Sequence, residues 1–129
     1  MAFLLHTQDT ADTPPLVELE AQNGVNYTIG LALTLTDGQA AVASGAVKPS
    51  YICVTDKTAG ENDKVQAIRV LPTQVFDTTL SADGTDLKAG NLVTLSADGT
   101  QITATTDSGV AEIVSMDGSA IGDMVRVRF

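Results

Sequence analysis

The chain has 129 residues and a formal net charge of −9, with seven Lys and Arg set against sixteen Asp and Glu. That balance speaks against unaided binding to nucleic acid or to an anionic membrane surface, both of which need clustered cations. Five aromatics, no Trp and a single Cys leave a core of aliphatic side chains and Ala with no internal disulfide, which suits a thin β-barrel or sandwich.

Residues 1–15 read as a flexible N-terminal arm. Phe3, Leu4 and Leu5 make a small apolar tip, His6 to Thr13 is polar and aperiodic, and Pro14 and Pro15 withhold two backbone donors while favouring an extended path. The alternatives are an edge strand or a frayed terminus. The opening apolar run is too short for a signal-peptide core and no basic side chain precedes it. No later stretch approaches membrane-spanning length, so the expected place of synthesis is a cytosol.

A body spanning 16–129 follows. Leu16-Val17-Glu18-Leu19-Glu20 begins an extended segment, and Tyr27, Ile29, Leu31, Leu33 and Leu35 alternate with small or polar residues, which predicts one strand with a buried face. Gly30 inside it marks a bend or a close backbone approach. Residues 39–47 are Ala-rich and fit either strand or loop. Strands are predicted at 51–55, 64–70, 74–80, 91–95, 101–105, 110–116 and 124–129, with a charged loop at 56–63 and Pro72 closing the second of these strands.

Four Asp-Gly steps punctuate the chain, at Asp37-Gly38, Asp83-Gly84, Asp98-Gly99 and Asp117-Gly118. Two of them sit in a repeated hexapeptide, Leu80-Ser81-Ala82-Asp83-Gly84-Thr85 and Leu95-Ser96-Ala97-Asp98-Gly99-Thr100. Asp-Gly supplies positive φ angles at little steric cost, so each step predicts a hairpin turn.

Residues able to do chemistry are few. His6 is the only histidine and has no Ser or Cys arranged around it, which removes a catalytic triad. Cys53 lies in the apolar run Tyr51-Ile52-Cys53-Val54, where a buried and inert thiol is expected. Asp56, Glu61 and Asp63 could converge on a hard cation, although their spacing does not match an EF-hand loop and a solvated loop is the simpler reading. Asp83, Asp86, Asp98 and Asp107 could pair for acid–base work, yet turn sequences account for most of them. Neither a phosphate-cradling Gly-rich loop nor a zinc constellation is present, and the chain carries no cofactor motif.

The C-terminal half carries a resemblance. Leu87-Lys88-Ala89-Gly90-Asn91-Leu92-Val93-Thr94-Leu95, then Gly109-Val110-Ala111-Glu112-Ile113-Val114 and the terminal Gly122-Asp123-Met124-Val125-Arg126-Val127-Arg128-Phe129 resemble the small all-β decoration, or cement, proteins of tailed-bacteriophage heads. The resemblance covers residues 16–129 in strand and turn rhythm and is most specific in the last 45 or so. It implies a β-barrel-like body, an extended N-terminal arm and no catalytic residues. It also implies binding to the outside of an assembled capsid, commonly at symmetry axes and in several families as trimers.

The sequence therefore leads to an all-β, single-domain, mainly antiparallel β-barrel or sandwich with long loops and an extended arm. The expected role is that of a non-enzymatic phage head protein, made in the bacterial host cytoplasm and carried on the virion exterior. Its expected partner is the major capsid protein, with homotrimer formation, and with neither nucleic acid nor membrane as a ligand. Phe3, Leu4, Leu5, His6, Pro14 and Pro15 are the expected capsid contacts. The alternative is a virion-surface carbohydrate-binding or host-attachment module, disfavoured because sugar platforms rely on exposed aromatics. A small β-barrel enzyme lacks a constellation to carry it.

Overall fold

The computed structural model describes residues 2–8 and 14–129, and strand is the only regular secondary structure among them, as expected of an all-β chain. The strands are β1 (Leu4–Thr7), β2 (Leu16–Ala21), β3 (Asn26–Tyr27), β4 (Ala32–Thr36), β5 (Gln39–Val42), β6 (Tyr51–Cys53), β7 (Lys57–Thr58), β8 (Lys64–Arg69), β9 (Val75–Thr79), β10 (Leu92–Val93), β11 (Ala111–Met116) and β12 (Met124–Arg128).

Barrel and sheet are both present. Strands β2, β5, β4, β6 and β8 close into a barrel, while β1, β9, β12, β11 and β10 form an open, fully antiparallel sheet in that order. Within the barrel β4 and β5 are joined by a two-residue turn between Thr36 and Gln39. Asp37 and Gly38 there have φ of 52° and 78°, the paired left-handed conformation that a hairpin with right-twisted strands demands. Closure comes from one parallel contact, Glu20 with Gln39 and Ala21 with Ala40.

The barrel interior is narrow, and its residues are correspondingly small: Ala21, Ala40, Ala59, Ala67 and Cys53 lie with Leu19, Leu31, Leu33, Val65 and Tyr27. A second core lies between barrel and sheet. Ala32, Ile52 and Ile68 of the barrel wall meet Phe76, Val93, Ile113, Val125 and Val127 of the sheet, with Phe3 and Phe129. Adjacent residues of β4, β6 and β8 thus serve different cores, Leu33, Cys53 and Ala67 facing inward and Ala32, Ile52 and Ile68 outward. A strand buried on both faces reads as a short apolar run, which is why Tyr51-Ile52-Cys53-Val54 shows no alternation.

Several expectations are corrected. The strand predicted across 27–35 is broken at Gly30, whose φ is +90°. Phe3 donates its N–H to the Gly30 carbonyl at 3.0 Å, and a Cβ on Gly30 would stand 2.5 Å from the Ala2 Cβ. The close approach expected at Gly30 is therefore real, and it ends the alternation: Ile29 and Leu35 are 54% and 46% exposed. Residues 101–105 form no strand, because Ile102 makes only single bridges, one to Leu80 and one to Leu95. Those two leucines open the two copies of the repeat, so the duplicated segment brackets one buried isoleucine.

The Asp-Gly rule holds fully at one step of four. Gly84 and Gly118 have no positive φ, and Gly99 has φ 71° without a left-handed Asp98. In the repeats the aspartate acts through its side chain instead. Asp83 Oδ1 accepts from the Thr85 N–H at 3.0 Å and hydroxyl at 2.6 Å, and Asp98 Oδ1 from the Thr100 N–H at 3.2 Å and hydroxyl at 2.8 Å. An Asx-type turn needs the carboxylate and not the mirror-image backbone.

The reading of residues 1–15 as a separate arm is also corrected as far as the described residues reach. Leu4, Leu5 and Thr7 pair with Asp77, Phe76 and Val75 of β9, with a bulge at His6. Phe3 is completely buried, its ring edge-on to Phe129 at 5.4 Å. The edge-strand alternative is the one adopted. The polar run from His6 hid it, because a four-residue edge strand shows almost no period of its own and its partner lies some seventy residues away. Residues 9–13 of the predicted arm lie outside the described residues.

Candidate functional site

The expected capsid contacts are not equivalent. Phe3 belongs to the core and is unavailable to any partner, and Leu5 is half-buried against the same core. Leu4 points to the other face of the edge strand and is 40% exposed. His6 at the bulge is exposed, with Nδ1 3.1 Å from Asp77 Oδ2. Pro14 is half-buried and Pro15 exposed at the entry to β2.

Asp77 is the centre of a charged cluster that sequence reasoning missed, since its members come from β1, β9, β12 and the segment after β11. Arg126 Nε stands 3.3 Å from Asp77 Oδ1 as an ion pair without a hydrogen bond, and its Nη1 donates to Asp117 Oδ1 at 2.9 Å and to the Ser115 hydroxyl at 3.3 Å. The cluster fastens the edge strand to the sheet. Cross-strand registers Leu4 with Asp77 and Asp77 with Arg126 place these groups together. The other carboxylates considered do not converge: Asp63 accepts the Gly60 N–H at 2.6 Å and lies 3.8 Å from Lys57, and no group of three metal-ligating side chains occurs among the described residues. Cys53 is buried, and desolvation pushes its thiol up while the Thr55 N–H on its Sγ opposes this and Asp56 adds to it, so the thiolate is scarce.

A cleft of about 500 Å³ lies at the open end of β4, β6 and β8. Thr34 and Leu35 form one wall, Lys48 to Tyr51 the next, and Arg69, Val70 and Pro72 the third, with Phe129 beside them. Backbone chemistry opens it. Along β4, Ala32 accepts from Ala43 on the β5 side and Leu33 accepts from Ser50 on the β6 side, so odd-numbered residues face β6. The register ends there: Ala32 pairs with Ile52 and Leu33 with Tyr51, and the next residue past Ser50 is the buried Pro49, which has no N–H to offer. The N–H and C=O of Leu35 consequently face the cleft.

Charge in the cleft opposes that of the chain. No Asp or Glu lines it, whereas Lys48 and Arg69 do. Lys57, Lys64, Arg126 and Arg128 are held in ion pairs with Asp63, Glu18, Asp77 with Asp117, and Glu112 respectively. Lys48 and Arg69 join no ion pair among the described residues, the terminal carboxylate of Phe129 included. The sequence signal for this site was Lys48-Pro49 ahead of a strand, but nothing in it placed Arg69 alongside.

No protein-family model and no curated protein sequence matches the chain. The described residues present an open sheet edge at β1 and a cationic cleft at the barrel end, with the Asp77 cluster between β1, β9 and β12.

Proposed function

We propose that this chain is a non-enzymatic decoration protein of a tailed-phage head, bound to the outside of the assembled capsid and bridging neighbouring copies of the major capsid protein, as a homotrimer. The observation that carries the reading is the edge of the open sheet. Among the described residues strand β1 pairs with β9 alone, and it presents Leu4 to solvent, so it offers a shell protein both main-chain groups and an apolar side chain for strand addition. The strand-and-turn motifs of residues 87–129 support the same reading. An acidic exterior also keeps such a protein off packaged DNA.

A sugar-binding module fits less well. Phe3, Tyr27, Phe76 and Phe129 are buried, which leaves only the half-exposed Tyr51 for stacking on a sugar.

The test is co-sedimentation of the purified protein with undecorated heads of the phage that encodes it, alongside a Leu4→Asp variant. Wild type pellets with heads, and the variant binds at least about 10-fold more weakly because a carboxylate is buried without a partner at the contact. Its melting temperature stays within about 3 °C of wild type, as befits an exposed position. Failure of the wild-type protein to pellet with heads overturns the proposal.

A further inference from the structure

We propose that the cleft at the barrel end is a binding site for an extended, acidic peptide segment of a partner protein, held by the Leu35 backbone and by the Lys48 and Arg69 side chains. The inference does not rest on the capsid reading.

Three independent features point to that occupant. The first is the interrupted ladder: Pro49 ends the pairing of β4 with β6, and the N–H and C=O of Leu35 are left facing a cleft of about 500 Å³. An added extended strand is what satisfies an outward N–H and C=O on one residue together. The second is charge. Two of the chain's seven basic side chains stand at this cleft without an ion pair among the described residues, and no Asp or Glu lines it, although the chain as a whole carries −9. A peptide carboxylate therefore meets attraction here and repulsion over most of the remaining surface. Arg69 supplies a planar fork suited to a carboxylate, and Lys48 a point charge on the neighbouring wall. The third is the lining between the cations. Leu35, Val70 and Pro72 give apolar contact for the side chains that alternate with carboxylates along an extended ligand.

The experiment uses the full chain and fluorescein-labelled, N-acetylated hexapeptides, followed by fluorescence anisotropy. One peptide alternates Val with Asp, and its control alternates Val with Lys. The acidic peptide is expected to bind saturably with Kd of about 10–500 μM, and the basic one not to bind. Arg69→Glu with Lys48→Glu should weaken binding by at least about 10-fold, since both attractions become repulsions. Both side chains are exposed, so the variant folds, which far-UV circular dichroism checks. Lys88→Glu, at the remaining basic side chain without an ion pair among the described residues, should change Kd less than about 2-fold. N-methylation of alternate backbone amides of the acidic peptide should remove binding, as expected if Leu35 pairs with the ligand main chain.

Equal affinity for the two peptides, or an unchanged Kd in the double charge reversal, overturns the site. An unchanged Kd with the N-methylated peptide overturns the backbone role of Leu35. Concentration-dependent self-association that the double reversal abolishes would make the occupant a second copy of this acidic chain, and would overturn the assignment to a partner protein. Failure of capsid binding with peptide binding intact rejects the decoration reading alone.

Discussion

Replacing Phe3 by Ala separates a docked edge strand from a loose arm. The ring is fully buried between barrel and sheet, edge-on to Phe129 at 5.4 Å, and Phe129 lies in turn 5.7 Å from Phe76. Truncating a core Phe to Ala costs about 3–5 kcal/mol, cavity included. With an unfolding entropy near 2.1 cal/mol/K per residue, a chain of 129 residues loses about 4 °C per kcal/mol, so the melting temperature should fall by about 11–18 °C. The neighbouring Leu4→Ala should move it by no more than about 4 °C, because that side chain is half in water. Gly30→Ala supplies the coupling. In the full chain it carries both the left-handed backbone cost of about 1–2 kcal/mol and the collision with Ala2 and Phe3, whereas in a chain lacking residues 1–8 only the backbone cost remains. Differential scanning calorimetry of the wild type, the three single variants, and the truncated chain with and without Gly30→Ala reads all of this. A fall of less than about 5 °C for Phe3→Ala, or a Gly30→Ala penalty equal in both backgrounds, would refute docking of the N-terminal strand.

Tyr27→Phe should cost about 1–3 kcal/mol by urea denaturation, because the hydroxyl donates to the Ala40 carbonyl at 2.5 Å and accepts from the Gln22 N–H at 2.9 Å, and both partners lose it inside a packed barrel. A midpoint indistinguishable from wild type would show that water reaches these groups. Asp98→Ala should destabilise by about 1–2 kcal/mol at neutral pH. The Ser96 hydroxyl, helped by Thr100 and opposed by partial desolvation, holds the Asp98 carboxyl below its ordinary range. A folded-state pKa below the unfolded one gives stability that is complete above about pH 4 and is lost as pH falls through the folded value. The gap between wild type and Asp98→Ala should hence be the same at pH 7 and pH 5 and should narrow at pH 3. A gap that persists undiminished at pH 3 would remove the carboxylate's charge from the explanation.

What the residues determined alone is whatever depends on neighbours along the chain. Alternating or short apolar runs between turn residues made the all-β class legible, and the strands at 64–70, 110–116 and 124–129 lie within a residue or so of β8, β11 and β12. Asp37-Gly38 specified its hairpin because both residues accept left-handed φ at low cost and the flanking strands needed it. Gly30 announced a close approach without naming what approached.

What tertiary structure decided is whatever depends on partners distant in sequence. The carboxylate-to-threonine bonds at Asp83 and Asp98 are local, but the crowding at Gly99 comes from Val42 and Ala43, which are distant in sequence. The double burial of β4, β6 and β8 erased the period-two signal, since a wall between two cores has no polar face. Leu4 to Thr7 became a strand only because β9 lends it hydrogen bonds and Phe129 lends a ring to the preceding Phe3, neither of which the N-terminal residues encode. The cationic cleft follows the same logic. Lys48 and Arg69 are 21 positions apart, and the pairing of β6 with β8 puts them on neighbouring walls of one cleft, where the lack of a donor at Pro49 leaves room between β6 and β4.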